Sequence, residues 1–189
     1  MNLERPAVRM GWATIVAYME LSRLPQTIVV ALGTLIGVRL FGVQASYLTV
    51  VLVIFSNVLL FMGATAANDS CDVTEDIVNK PNRPLPSGRI SQESAVRFAI
   101  ACFAAGILPA FGVAPWLGAG AIVIAATSTA YAVWLKRVPF VGNLLVATVS
   151  TYPLYCWMAL GGEPGRTAAH VVAAFFVYRT GAELLKTAE

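Results

Sequence analysis

Charge is what this sequence has least of. Asp, Glu, Lys and Arg make up 12% of its 189 residues, about half the share usual in soluble domains. Hydrophobic residues fill 58% of the chain and mean hydropathy is +0.72, which excludes an ordinary water-soluble globule. Nucleic-acid binding is excluded too, because no soluble domain offers a basic face. Cysteine is equally scarce. Cys71, Cys102 and Cys156 give an odd count without C-x-x-C spacing, so the chain has neither a disulfide framework nor a zinc site. The one histidine, His170, has no catalytic partner in sequence and reads as a packing or interfacial residue. Internal repeats and low-complexity tracts are absent. Residues 1–23 lack an A-x-A-like site behind a short apolar core and carry Glu4, Arg5, Arg9, Glu20 and Arg23, so they do not read as a cleavable signal. Within them, WATIVAYMEL reads as an interfacial helix leading into the first span.

What is present is long apolar runs. Six fall at 24–41, 47–67, 98–113, 116–135, 140–160 and 167–185, most near the roughly 20 residues that cross a bilayer as a helix. The expected fold is all-α, a polytopic transmembrane helical bundle in a lipid bilayer. Lys and Arg divide unevenly between the two sides this topology creates. Arg5, Arg9, Arg23, Lys80, Arg83, Arg89, Arg97, Lys136, Arg137, Arg179 and Lys186 share one side, while Arg39 and Arg166 lie on the other. Short loops rich in cations stay in the cytoplasm, so the N-terminus is expected there.

The scarce negative charge is concentrated. Four of the ten acidic residues, Asp69, Asp72, Glu75 and Asp76, fall within positions 68–76 of NDSCDVTEDIVNKPNRPLPSGRIS, just past the second apolar run. Asn68, Asp72 and Asp76 recur at i, i+4, i+8 and would line one face of a helix continuing from that run. Asp69 lies about 100° around. Like charges at this spacing repel, and low dielectric near a membrane strengthens the repulsion. Lys80 and Arg83 could neutralise them. An oxygen-only donor set also suits Mg²⁺, which is usually held by one or two carboxylates plus substrate phosphates. The following cations would then meet phosphate. Pro81, Pro84 and Pro86 force an extended loop, and Ser91 reads as the start of the next helix. A second basic group stands on the same side in YAVWLKRVPFVGN: Tyr131 and Lys136 close the fourth run, Pro139 marks a turn, and Gly142-Asn143 opens the fifth.

Together these segments resemble the UbiA superfamily of intramembrane prenyltransferases. NDSCDVTED resembles its NDxxDxxxD motif, NKPNRPLPSGRIS its basic Pro-rich loop, and YAVWLKRVPFVGN its Tyr…Lys-Arg…Gly-Asn segment. Arg23 and Pro25 loosely resemble the start of its first helix. The resemblance implies a nine-helix bundle with a lipid-facing cavity, Mg²⁺ as cofactor, a prenyl diphosphate donor and a hydrophobic or aromatic acceptor. It implies Asn68, Asp69, Asp72 and Asp76 as metal ligands, Arg23, Lys80, Arg83 and Lys136 as diphosphate-binding residues, and Tyr131 beside the reacting carbons, with Asp72 and Asp76 also catalytic through the metal.

One departure stands out. GAELLKTAE occupies the place where the family shows a second acidic run resembling REIVKDIED. Glu183, Lys186 and Glu189 align, but Thr187 replaces an expected Asp. The reading is of a single transmembrane prenyltransferase-like domain over 1–189 lacking its C-terminal third. A terpene cyclase of the same superfamily and a short, non-catalytic or partner-dependent homologue stay open as alternatives. A transporter is disfavoured, because the first five runs hold no mid-span ionisable residue.

Overall fold

The structure, a computed structural model, describes residues 11–188 apart from positions 139 and 164, with side chains through Leu185. The readings placed on Arg5, Arg9, Pro139, Lys186, Thr187 and Glu189 lie outside what it describes. Among the described residues eight α-helices run in order: α1 Trp12–Leu21, α2 Leu24–Leu40, α3 Tyr47–Cys71, α4 Val73–Asn79, α5 Gln92–Val113, α6 Pro115–Val133, α7 Val141–Tyr155 and α8 Arg166–Ala188. Short 3-10 turns, Leu135–Arg137 and Cys156–Leu160, follow α6 and α7. No strand occurs among the described residues.

Every apolar run coincides with a helix, though among the described residues not every such helix is by itself long and apolar enough to cross a membrane. By length and apolarity, α3, α5 and α6 can cross a membrane, and the α1–α2 pair, bent by 53°, makes a fourth if it is one broken span. Helix α7 has 15 residues before the 3-10 turn tightens it, about 22 Å of a roughly 30 Å core. Arg179 and Glu183 dilute α8. The third run, short in sequence, gains a turn and a half upstream. Ser91 caps α5 by accepting from the Ser94 amide at 3.2 Å, so the helix reaches back to Gln92 and has 22 residues.

Helix α3 is the central element, packed most extensively on α5 and also on α2 and α6. Small residues let these helices approach, as is usual where lipid removes the hydrophobic drive between them. Large apolar side chains instead face outward: Ile28, Val29, Leu32 and Ile36 on α2, and Ile100 and Leu108 on α5, are exposed. That is the pattern of a surface solvated by lipid tails.

Polar groups where α2, α3 and the turn after α7 meet are paired. Asn57 of α3 donates to Thr34 Oγ1 at 3.1 Å and to Cys156 Sγ at 3.4 Å, while the Trp157 indole donates to the Thr34 carbonyl at 2.8 Å. Trp157 is fully buried because Gly37 makes room for it. A Cβ at position 37 would lie 2.7 Å from Trp157 Cδ1 and 2.8 Å from the Leu154 carbonyl. Gly37→Ala is therefore expected to cost about 1–3 kcal/mol by overpacking. One turn away, Gly33 meets nothing within 4 Å, and Gly33→Ala should be neutral or slightly stabilising. Thermal unfolding in detergent distinguishes the pair; equal melting temperatures would mean that α7 does not seat on α2 as described.

A second apolar cluster lies under the acidic end of α3. Leu85 and Ile90 of the Pro-rich loop are buried against Ala17 and Leu21 of α1, Ala66 of α3, and Ala95 and Ala99 of α5. These pegs hold the loop over the end of α3, and that placement builds the site.

Candidate functional site

The acidic stretch follows one nearly continuous helical path. Backbone bonds run from the Asp72 amide to the Asn68 carbonyl at 3.1 Å, from Asp76 to Asp72 at 2.8 Å, and from Lys80 to Asp76 at 2.8 Å. Asp72 sits at the junction of α3 and α4 with φ −97° and ψ 4°, a local kink in that path.

The side chains divide differently from the expected single row. Asp72 accepts from Asn68 Nδ2 at 2.9 Å and pairs with Lys136 Nζ. Asp69 and Asp76, 5% and 4% exposed, instead share Arg83, whose Nη1 donates to Asp69 Oδ1 at 3.3 Å and to Asp76 Oδ2 at 2.7 Å. Helix geometry supplies the reason. Seven residues complete two turns to within about 20°, whereas eight overshoot by about 80°. Asp69 and Asp76 therefore face the same way, and the Asn68–Asp72–Asp76 row drifts apart. Asp69, expected at the margin, meets two cations, as Asp76 does.

Arg23 reaches the same atom, donating to Asp69 Oδ1 at 2.7 Å. It adopts φ 50° and ψ 57° between α1 and α2, a left-handed conformation that is costly for any residue but Gly and concentrates at functional positions. Ser22 and Thr27 hydroxyls bond the Tyr18 and Ser22 carbonyls at the break, at 2.7 and 2.8 Å. Lys80 completes the group 3.5 Å from Asp76 Oδ1, with its side chain largely exposed. A cleft of about 560 Å³ opens here, lined by Glu20, Arg23, Gln26, Asp69, Lys80, Arg83 and their neighbours.

The second grouping faces α6 and α7. Lys136 reaches Asp72 from the 3-10 turn after α6. Tyr131 lies one turn earlier, within electrostatic reach of both Asp72 and Glu183. Gly142 permits this arrangement: a Cβ there would meet the Leu135 carbonyl at 2.9 Å and the Tyr131 ring at 3.3 Å, displacing the turn that carries Lys136. Glu183, on α8, is buried and pairs with Arg179 at 3.0 Å. It brings the region aligned with the second acidic run toward the first.

Four cations thus surround three carboxylates. The donor set of Asn68, Asp69, Asp72 and Asp76 fits a hard cation chemically, since each supplies oxygen. Among the described residues no three His, Cys, Asp or Glu side chains converge on one point. Two residues that the sequence reading left without a site role also appear here. Glu20 and Arg89 form a two-bond ion pair at the cleft wall; at 69 residues apart, nothing in the sequence pointed to it.

The sequence profile of the UbiA prenyltransferase family matches residues 27–185. The chain belongs to that family. With its apolar helices, this makes it an integral membrane protein. It is similar to the digeranylgeranylglyceryl phosphate synthase of Methanopyrus kandleri, 33% identical over 180 residues that cover 92% of this chain and 63% of the relative. The corresponding synthase of Thermococcus kodakarensis is 34% identical over 178 residues, covering 92% and 62%. A solved structure from work on digeranylgeranylglyceryl phosphate synthase in membranes superposes with a TM-score of 0.79 at 23% identity, covering 92% of this chain and 62% of that one, and shows the shared fold. The chain spans less than two thirds of the length of these relatives.

Proposed function

We propose that this UbiA-family chain binds a prenyl diphosphate, with Mg²⁺, at the acidic end of α3 and transfers the prenyl group to a lipid-like acceptor. The observation that carries this reading is the set of four cations gathered around three carboxylates at the mouth of an apolar bundle. The names of its relatives favour a prenylated glyceryl phosphate as acceptor over the aromatic acceptor the sequence also allowed, with geranylgeranyl diphosphate as donor.

In this reading Arg23, Lys80, Arg83 and Lys136 release their carboxylates and take the diphosphate. Asn68, Asp69, Asp72 and Asp76 are the residues that would hold Mg²⁺. Bound there, the metal supplies positive charge that stabilises the departing pyrophosphate. The allylic C–O bond breaks with its electron pair leaving on pyrophosphate, the acceptor hydroxyl attacks the carbon, and its proton is released. Lys and Arg fixed near the developing negative charge act as preorganised electrostatic stabilisers. The Tyr131 ring faces the carbocation, where an aromatic face is favourable, and the apolar helices exclude water that would quench it.

Binding of a non-hydrolysable geranylgeranyl thiodiphosphate, followed by calorimetry in detergent, tests the reading. Affinity is expected to fall more than tenfold when EDTA replaces millimolar Mg²⁺, because the ligand then meets uncompensated carboxylates. Equal affinity in both conditions would remove the metal from the proposal.

The same reading places the Pro-rich loop in the cytoplasm, on the side that holds eleven of the 13 Lys and Arg residues. Single cysteines at Ser87 and Glu163, both exposed, on a cysteine-free background report the topology. An impermeant thiol reagent added on the cytoplasmic face should label position 87 and spare 163. The opposite pattern would invert the protein.

A further inference from the structure

The cleft wall carries one ion pair that the proposed chemistry does not use. Arg89 Nη1 and Nη2 donate to Glu20 Oε1 and Oε2 at 3.0 and 2.6 Å. Nη2 also donates to the Asn82 carbonyl at 2.7 Å, and Nε to Ser87 Oγ at 3.1 Å. Ser87 in turn donates to the Arg83 carbonyl at 2.6 Å. One guanidinium thus ties several points of the Pro-rich loop to α1. On either side of this tie stand Arg23, three residues past Glu20, and Arg83, six before Arg89. Both converge on one atom, Asp69 Oδ1. Their separation is set by α1 on one side and by the loop on the other, and Glu20–Arg89 joins the two.

We propose that Glu20 and Arg89 form a positioning clasp, which holds Arg23 and Arg83 at the separation that receives the donor diphosphate and so sets donor affinity without touching it. The inference rests on the reading of this cleft as the donor site. An exposed ion pair adds little to fold stability, and both side chains are more than a third exposed. Leu85 and Ile90 anchor the loop independently. Affinity is more sensitive, because fixing two cations before the ligand arrives spares the ordering cost at binding.

The clasp and a plain field effect differ in sign. Removing the Glu20 charge makes the cleft more positive and, by field alone, would tighten an anion; removing the Arg89 charge would loosen it. Loss of the clasp loosens both. The test is calorimetry of geranylgeranyl thiodiphosphate with Mg²⁺ on the protein expressed from its complete gene, for wild type, Glu20→Gln, Arg89→Gln and Arg89→Lys, with Tm measured on the same samples. All three variants are expected to bind about tenfold more weakly with Tm unchanged. Arg89→Lys belongs with them because a point cation keeps the charge but cannot make the fork and reach Asn82 and Ser87 together. Tighter binding by Glu20→Gln, wild-type affinity in Arg89→Lys, or a Tm that falls in step with affinity would each overturn the clasp. Wild type failing to bind in Mg²⁺ would instead overturn the donor-site reading beneath it, and every variant would then be silent.

Discussion

In the protein expressed from its complete gene, Asp72→Asn is expected to slow prenyl transfer by about 10²–10³-fold, the cost of removing one preorganised stabiliser of developing charge. Asp72 is the carboxylate that joins the acidic end of α3 to the α6–α7 turn. Its two oxygens receive Asn68 Nδ2 and Lys136 Nζ, and it lies within electrostatic reach of Tyr131. Asparagine keeps the size but loses the charge that would hold the metal and that holds Lys136. Glu75, three residues on, is exposed in the first turn of α4, and Glu75→Gln should stay within the roughly ±0.5 kcal/mol of ordinary surface changes. Turnover of radiolabelled prenyl diphosphate in membranes, normalised to protein by blot, checks both. Equal loss in the two variants would mean that all the carboxylates converge on the reacting diphosphate. Activity retained in both would leave the acidic stretch as a charged helix end and withdraw the main support from the enzyme reading.

Much of this architecture was legible because local signals dominate it. Apolar runs fixed where helices lie, and Ser91 marked the start of α5. The prolines of 81–86 kept the loop out of any helix of its own. The resemblance of NDSCDVTED and YAVWLKRVPFVGN to the family's motifs brought Asp72, Lys136 and Tyr131 into one site before any distance was known. What stayed hidden depends on rotation and on long-range meetings. The common facing of Asp69 and Asp76 follows from two full helical turns, whereas the even spacing of Asn68, Asp72 and Asp76 drew attention to a different row. Arg23 reaches Asp69 only because the chain turns through a left-handed residue at the α1–α2 break. Nothing in the run ELSRLPQ demands that conformation. The Glu20–Arg89 pair has no local signature; Arg89 alone reads as one more cytoplasmic cation.

Asp69→Asn is expected to lower stability even when no metal is present, by about 2 kcal/mol, or roughly 5 °C in melting temperature for a chain of this size. The argument turns on what surrounds the carboxylate. Asp69 is buried, and one of its oxygens accepts from Arg23 at 2.7 Å and from Arg83 at 3.3 Å. Asparagine leaves those two guanidiniums close together with a neutral acceptor between them. Removing one member of a fully buried ion pair costs about 3–5 kcal/mol. Here the arginine side chains are 34% and 29% exposed, so water recovers part of the loss. Arg83 also keeps Asp76 as a partner. A carboxylate held only to bind metal would behave oppositely: in EDTA its removal relieves repulsion from Asp72 and Asp76, and stability rises. Thermal unfolding in detergent with EDTA therefore separates the two roles by sign. A double-mutant cycle of Asp69→Asn with Arg83→Met should add a coupling energy of about 1 kcal/mol. A raised melting temperature in Asp69→Asn, or no coupling to Arg83, would show that the cations around Asp69 do not hold the cleft together before the diphosphate arrives.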